Sequence, residues 1–274
     1  MNFQTLKVNR EGAVLFLAIS APPMNLMGPE LVRDLVALIQ MAEADGALQV
    51  LVFRSADPDY FISHVDVLRI AEYRRETVRL TGGEPSIGLL FRYLSASRLV
   101  TVAQIEGRVR GAGSEFALAC DMRFAASGRA LLGQPEVGFG LVPGAGGMQH
   151  LTRLMGRGRA LEAILSGQDF DADVAERYGW INRALPADEI GGFVNSLAQR
   201  IAGFPATARG LIKERINAIA LAPPEDFRRD SDLFGDAARD VHALARTKAA
   251  MARGFQTRNW EMELATLLPG LGEP

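Results

Sequence analysis

A single cysteine, Cys120, excludes an intrachain disulfide framework and any cysteine-built zinc site within one chain. Its neighbours Phe116 to Ala119 are apolar, so the thiol is expected to be buried and inert rather than nucleophilic. Lysine is nearly absent: only Lys7, Lys213 and Lys248 stand among 30 basic residues, an arginine excess read as compositional bias before function. No apolar run approaches the ~18 residues of a membrane span. The opening MNFQTLKVNREG has no basic stretch followed by an apolar one, so no signal peptide is expected. A formal net charge of −2 leaves neither a basic footprint for nucleic acid nor an acidic tail. These absences point to a soluble cytoplasmic protein with no nucleic-acid or membrane partner.

What is present suits a packed globular chain. Apolar residues make up 48% and charged residues 23% of 274 positions, enough to bury a sizeable core. Gly12 to Ser20 is an apolar, β-rich run closed by Ala21-Pro22-Pro23, a strand and then a breaker. Between Pro29 and Asp45, Leu31, Leu35, Leu38, Ile39, Met41 and Ala42 recur at helical spacing, with Pro29 in the first turn and Gly46 past the end. Gln49 to Phe53 and Leu99 to Ile105 read as further strands, Gly113 to Cys120 as a helix after a glycine-rich loop, and Arg123 to Ala126 as a strand. Strand, helix and strand in this order predict α/β units with crossover connections. From about Asp173 the chain turns mostly helical. The expected division is an α/β core over 1–200 and a helical C-terminal region over 201–274.

Three segments carry candidate chemistry. The first runs from Gly107 to Glu115, between a strand and a helix. Its glycines let backbone amides approach a ligand at a helix N-terminus, although the same residues also suit a plain packing turn. It is neither a Walker loop nor a dinucleotide fingerprint. Glu115 sits among Phe116, Ala117, Leu118, Ala119 and Cys120, where a carboxylate must be paired, neutralised or functional; a solvated first-turn glutamate is the alternative. The second segment, Gly133-Gln-Pro-Glu136, precedes a long apolar, glycine-rich stretch. With no basic neighbour, Glu136 tends toward the raised pKa of a general acid, unless it is merely an exposed turn residue. The third, Phe61 to Val67, contains His64, which reads as a polar contact or as a base. His150 and His242 lie far from it, and neither an H-E-x-x-H pair nor a G-x-S-x-G elbow is present.

Taken together and in order, these segments resemble the crotonase superfamily, the enoyl-CoA hydratase/isomerase family. The likeness rests on Phe61 to Val67, Glu106 to Asp121, Gln134 to Glu136 and Pro143 to Gly147, with Gln149 to Arg153, Gly167 to Asp171 and Gly179 to Asn182 downstream. It spans about residues 10 to 220. The resemblance implies a spiral of ββα units whose helical C-terminal region mediates a homotrimer or a hexamer. It implies an acyl-CoA thioester substrate, with coenzyme A arriving as part of that substrate, no other cofactor and no metal. Val65 and Ala112 match the two backbone N–H donors of the family's oxyanion hole. Glu115 matches the residue that activates water, and Glu136 the one that protonates the α-carbon. Gly144 matches a glycine whose backbone helps place the water, and Ser63, His64, Asp66 and Val67 are the loop positions expected to contact substrate. Both carboxylates being filled favours hydration of a 2,3-enoyl-CoA. An isomerase or another reaction of the fold is the alternative, and a silent CoA-thioester binding module is the reading of another class.

The sequence departs from the family pattern at Ile62 and His64, where small residues are usual, at Ala112, and along the stretch after about Ala222. The bulky His64 is expected to narrow the pocket, to contact the CoA moiety or to mark an altered reaction. Acyl-chain length depends on how the segment from Arg74 to Leu94 folds over the pocket.

Overall fold

The computed structural model describes residues 2–272. Among the described residues ten strands are formed: β1 (Leu6–Glu11), β2 (Val14–Ile19), β3 (Val50–Ser55), β4 (Tyr60–Ile62), β5 (Val100–Ile105), β6 (Arg108–Arg110), β7 (Met122–Ala126), β8 (Leu131–Gly133), β9 (Asp169–Asp171) and β10 (Arg183–Leu185). They divide into a six-stranded sheet in the order β1-β2-β3-β5-β7-β10 and a four-stranded sheet in the order β4-β6-β8-β9. Only β1 against β2 and β8 against β9 pair antiparallel; the other pairings are parallel. β3, β5 and β7 each run on within a few residues into a strand of the smaller sheet, namely β4, β6 and β8. This stepping of paired strands, with helices between, is the turn of the expected spiral.

The long strands form where the expectation put them. β2 buries five of its six residues and β3 buries Val50 to Phe53, as suits strands covered on both faces. The helix Pro29–Ala44 begins with proline at its first turn and buries the Leu31, Leu35, Leu38, Ile39 stripe. β1 is different: five of its six residues are exposed, so it carries no apolar pattern and forms because it pairs along the edge of β2.

Two close approaches bring the sheets to the site. Gly111 takes φ 50°, a left-handed value that costs an L side chain strain, and so turns β6 into the helix Ala112–Ala119. Two residues on, a Cβ at Gly113 would lie 2.2 Å from the Ile62 carbonyl oxygen, so only glycine lets this helix abut the end of β4. All eight residues of the helix are buried, including Glu115. Cys120 follows it, buried, with its thiol pushed up to about 12 by that burial. The expectation of an inert cysteine holds.

The C-terminal helices do not form a separate lobe. Pro224–Ala237 packs on Ile87–Ala96 and on Gly147–Ser166. The chain then turns back through Val241–Ala252 and Arg258–Met262, where Arg258 pairs with Asp57 and Asp59. Tyr60 Oη donates to the Arg258 carbonyl at 3.1 Å.

Candidate active site

A cavity of about 200 Å³ opens at the N-terminus of the helix Ala112–Ala119, and Glu115 and Glu136 both face it. Glu115 reaches it from the first turn of the helix, and Glu136 from the short 3₁₀ turn Glu136–Phe139 that follows β8. The remaining wall is mostly apolar, drawn from Ile70, Ile87, Phe139, Leu141 and Phe255 among others, with Arg74, Ser231 and Thr247 as polar members. Charges interact more strongly against so apolar a wall than in bulk water.

The two carboxyl groups live in different surroundings. Glu115 Oε1 accepts the N–H groups of Ala145 at 2.7 Å, on the loop before the helix Gly147–Ser166, and of Gly147 at 2.9 Å, its first residue. A Cβ at Gly147 would lie 3.1 Å from that oxygen, so the glycine keeps the approach open. Burial pushes the Glu115 carboxyl up to about 7, with the two amide bonds holding it back and the charge of Asp230 adding to the rise. Glu136 is pushed well above the usual carboxylate range, first by burial and then by the neighbouring Glu115 charge. Its buried Oε2 meets no hydrogen-bond partner among the described residues. With two donors on one and this unmet oxygen on the other, Glu115 ionises first and Glu136 keeps its proton.

Val65 and Ala112 also border the cavity. Among the described residues neither of their backbone N–H groups, nor that of Gly144, donates to another protein atom, whereas Gly111 N–H is held by the Gly133 carbonyl at 3.1 Å and Glu115 N–H by the Gly111 carbonyl at 2.9 Å. Gln134, fully buried, pins the turn: with its amide oriented to satisfy both ends, its two N–H groups are shared among Ser114 Oγ at 3.0 Å and the carbonyls of Gly111 and Gly133, both at 3.2 Å. Amides so fixed, and left free, are ready donors to an oxyanion.

Of the expected loop contacts, His64 and Val67 border the cavity, while Ser63 and Asp66 do not. Ser63 points into the core and donates from Oγ to the Met24 carbonyl at 2.9 Å. Asp66 turns outward and accepts the Gln256 side-chain amide at 3.1 Å. Gly144 borders the cavity, and its carbonyl is held by Ser231 Oγ at 2.8 Å. The segment from Arg74 to Leu94 contributes Arg74 and Ile87.

The sequence reading missed several members. Tyr73 is 2% exposed and borders the cavity, and its hydroxyl is pushed up mainly by burial. Phe255 stacks on His64 with ring centroids 4.8 Å apart. Glu261, wholly buried, meets His64 Nε2 at 2.8 Å. No motif marks these residues; 197 positions separate His64 from Glu261. The one available sign is a pair of acidic side chains, Glu261 and Glu263, in a mostly apolar C-terminal run, Trp260 to Leu268, and nothing in it singles out Glu261.

Comparison with known proteins agrees with this geometry. The model of the enoyl-CoA hydratase/isomerase family matches residues 9–249. A probable enoyl-CoA hydratase of Rhizobium meliloti is 30% identical over 268 residues, covering 96% of this chain and 99% of the relative. A short-chain-enoyl-CoA hydratase of Clostridium acetobutylicum is 30% identical over 219 residues, 79% of this chain and 82% of its own length. Among solved structures, a candidate enoyl-CoA hydratase from Streptomyces avermitilis aligns with a TM-score of 0.96 at 51% identity and covers 98% of each chain. The fold is the spiral that the motifs imply, and the chain belongs to the enoyl-CoA hydratase/isomerase family.

Proposed function

We propose that this protein is an enoyl-CoA hydratase, a lyase that adds water across the 2,3 double bond of an enoyl-CoA thioester. The observation that carries this reading is the pair of carboxyl groups in one largely apolar cavity, one accepting two backbone N–H groups and the other with an oxygen that meets no partner among the described residues. A thioester oxygen placed against the Val65 and Ala112 amides draws electron density from C3. Glu115 takes a proton from water as its oxygen bonds to C3, with the Gly144 N–H as a further contact for that water. The electron pair of the double bond moves to the thioester oxygen as an enolate, and Glu136 donates its proton to C2. One water is consumed, and the proton gained by Glu115 returns to Glu136 through solvent. Each fixed amide is worth ~3 kcal/mol in the transition state, because it need not reorient as charge develops.

Coenzyme A enters as part of the substrate, and the steps named require only an acid, a base and oxyanion donors. Support for the substrate class comes from the relatives named as enoyl-CoA hydratases, from Rhizobium meliloti and Clostridium acetobutylicum. Isomerisation of a 3-enoyl-CoA needs only one carboxyl group, and two opposed ones favour hydration. The test is loss of the conjugated-thioester absorbance of trans-2-enoyl-CoA substrates of short, medium and long chain. Turnover of at least one is expected. Inertness of all three, with a working control hydratase, would retire the assignment.

A further inference from the structure

We propose that Glu261 is a positioning residue of this site, clamping the oxyanion loop through His64 from the C-terminal end of the same chain. The hydrogen bonds fix the directions. His64 Nδ1 lies 2.7 Å from the Val65 carbonyl oxygen, which can only accept, so Nδ1 carries a proton. Nε2 lies 2.8 Å from Glu261 Oε1, an oxygen that already accepts the Gln256 N–H at 3.1 Å, so Nε2 donates as well. This pattern is that of an imidazolium, bonded at one end to Val65, which borders the cavity, and at the other to a wholly buried carboxylate.

Three further contacts tie the same two segments. Val67 N–H donates to Gln256 Oε1 at 2.8 Å, the Gln256 side-chain amide donates to Asp66 at 3.1 Å, and Phe255 stacks on the His64 ring. The clamp thus grips Val65 from both neighbours of its peptide planes. Behind it, Arg110 donates to the Glu261 carbonyl at 2.6 Å and pairs with Asp169, which fixes the Glu261 backbone. The charged groups facing His64 are Glu261 and Arg110. Glu136 stands close by, because a point one Cβ bond out from Gly111 lies 3.1 Å from Glu136 Oε1 and 3.4 Å from His64 Cβ. Burial by itself would drive His64 toward the neutral ring, but the Glu261 charge and hydrogen bond, with the Val65 carbonyl, outweigh it and hold the ring above its usual value. Neutral imidazole has one N–H and can serve only one of its two acceptors. Loss of the Glu261 charge therefore frees the Val65 carbonyl or leaves the strap unattached.

The proposal rests on the hydratase reading for its kinetic arm, so one arm is read without substrate. In Glu261→Gln, the His64 ring titration, followed by NMR of labelled histidine and assigned with His64→Gly, is expected to fall from above pH 6.5 to below it. In the same variant kcat is expected to fall about tenfold with KM unchanged within about threefold, and Glu261→Asp is expected to recover most of it. Exchange of the α-protons of a saturated acyl-CoA thioester in deuterated water reads enolate formation alone, so it reports on the clamp even if hydration is not the reaction. An unaltered His64 titration in a folded Glu261→Gln protein overturns the clamp, and so does wild-type α-proton exchange. If Glu261→Gln fails to fold, the titration of His64 in the wild-type protein decides: a ring that keeps its proton to above pH 6.5 supports the clamp, and one that loses it below pH 6.5 in the folded protein overturns it.

Discussion

At the scale of single residues, the site depends on two carboxyl groups in an apolar wall. Glu115→Gln and Glu136→Gln should each lower hydration kcat by ~10²–10⁴, with a combined loss short of the product because the groups act as a unit. In an isomerase only Glu136→Gln would be this costly, and Glu115→Gln would keep near wild-type turnover of a 3-enoyl-CoA. The pH profile should be bell-shaped: rates rise as Glu115 ionises near 7 and fall at higher pH as Glu136 loses its proton. The same shifts bear on stability. A folded-state pKa above the unfolded value means that the native state is favoured while the group is protonated. That contribution is complete below about 4.5 and is lost as pH rises toward 7 for Glu115. Glu115→Gln removes this loss, so at pH 8 the variant should melt at the same temperature as wild type or higher. A melting temperature that falls by several degrees at pH 8 but not at pH 4.5 would contradict the assignment. His64 reads in the same direction and Glu261, pulled down by the His64 charge despite burial, in the opposite one, so their pair is fully formed only between the two titrations. Glu115 and Glu136 were legible in the sequence because each stands in an apolar stretch, where a carboxylate is conspicuous. Glu261 was not, since its partner is brought to it only by the fold.

At the scale of elements, the chain announces what is long and periodic. β2, β3, β5, β7 and the helix Pro29–Ala44 form within one or two residues of expectation, since apolar-rich runs such as Ala13 to Ile19 and Val50 to Phe53, or a full helical stripe, leave little alternative. β4, β6, β8 and β9 have three residues each, too few to show alternation, and they exist because each pairs with the next in a sheet of their own. These short strands position the site: β4 leads into the His64–Val65 loop, and β6 ends at the Gly111 turn. The junction between them makes the next prediction. In Gly113→Ala a methyl group would meet the Ile62 carbonyl oxygen at 2.2 Å, and a backbone atom cannot swing away as a side-chain tip does. Helix and strand must separate, at a cost of ~1–3 kcal/mol or more. Because that motion carries the Ala112 amide with it, turnover should fall by more than tenfold even in protein that remains folded. Urea denaturation with a parallel enoyl-CoA assay separates the two effects. A variant with wild-type stability would show that the helix end has room that the geometry denies.

At the scale of the whole molecule, one surface is left without an occupant. The helix Ala206–Ala220 buries none of its residues, and Ile212, Ile216 and Ile219, on one stripe, are 60%, 56% and 74% exposed. Leu211 beside them is 62% exposed, so water meets a contiguous apolar band on a helix that is moored to the core by Lys213, whose Nζ donates to Asp121 at 2.7 Å. Bands of this kind are uncommon on monomers and mark association. The family resemblance assigns the covering surface to further copies of the chain, so the expected assembly is three copies of 29.7 kDa, about 90 kDa, or twice that. Light scattering or sedimentation at micromolar concentration checks it. A charge placed in the band, as in Ile216→Glu with Ile219→Glu, should dissociate the assembly while leaving the helix content by circular dichroism in place. The catalytic consequence is more discriminating. The cavity, its two carboxyl groups, and the roof from Phe234 to Phe255 are all built by one chain, and the clamp from Glu261 to His64 closes within it. Dissociated protomers should therefore retain turnover within about tenfold of the assembly, measured at concentrations below the dissociation constant. A loss of three orders of magnitude on dissociation, with the fold intact, would mean that a neighbouring copy completes the site. A wild-type protein that is monomeric at all concentrations would remove the band as an interface altogether.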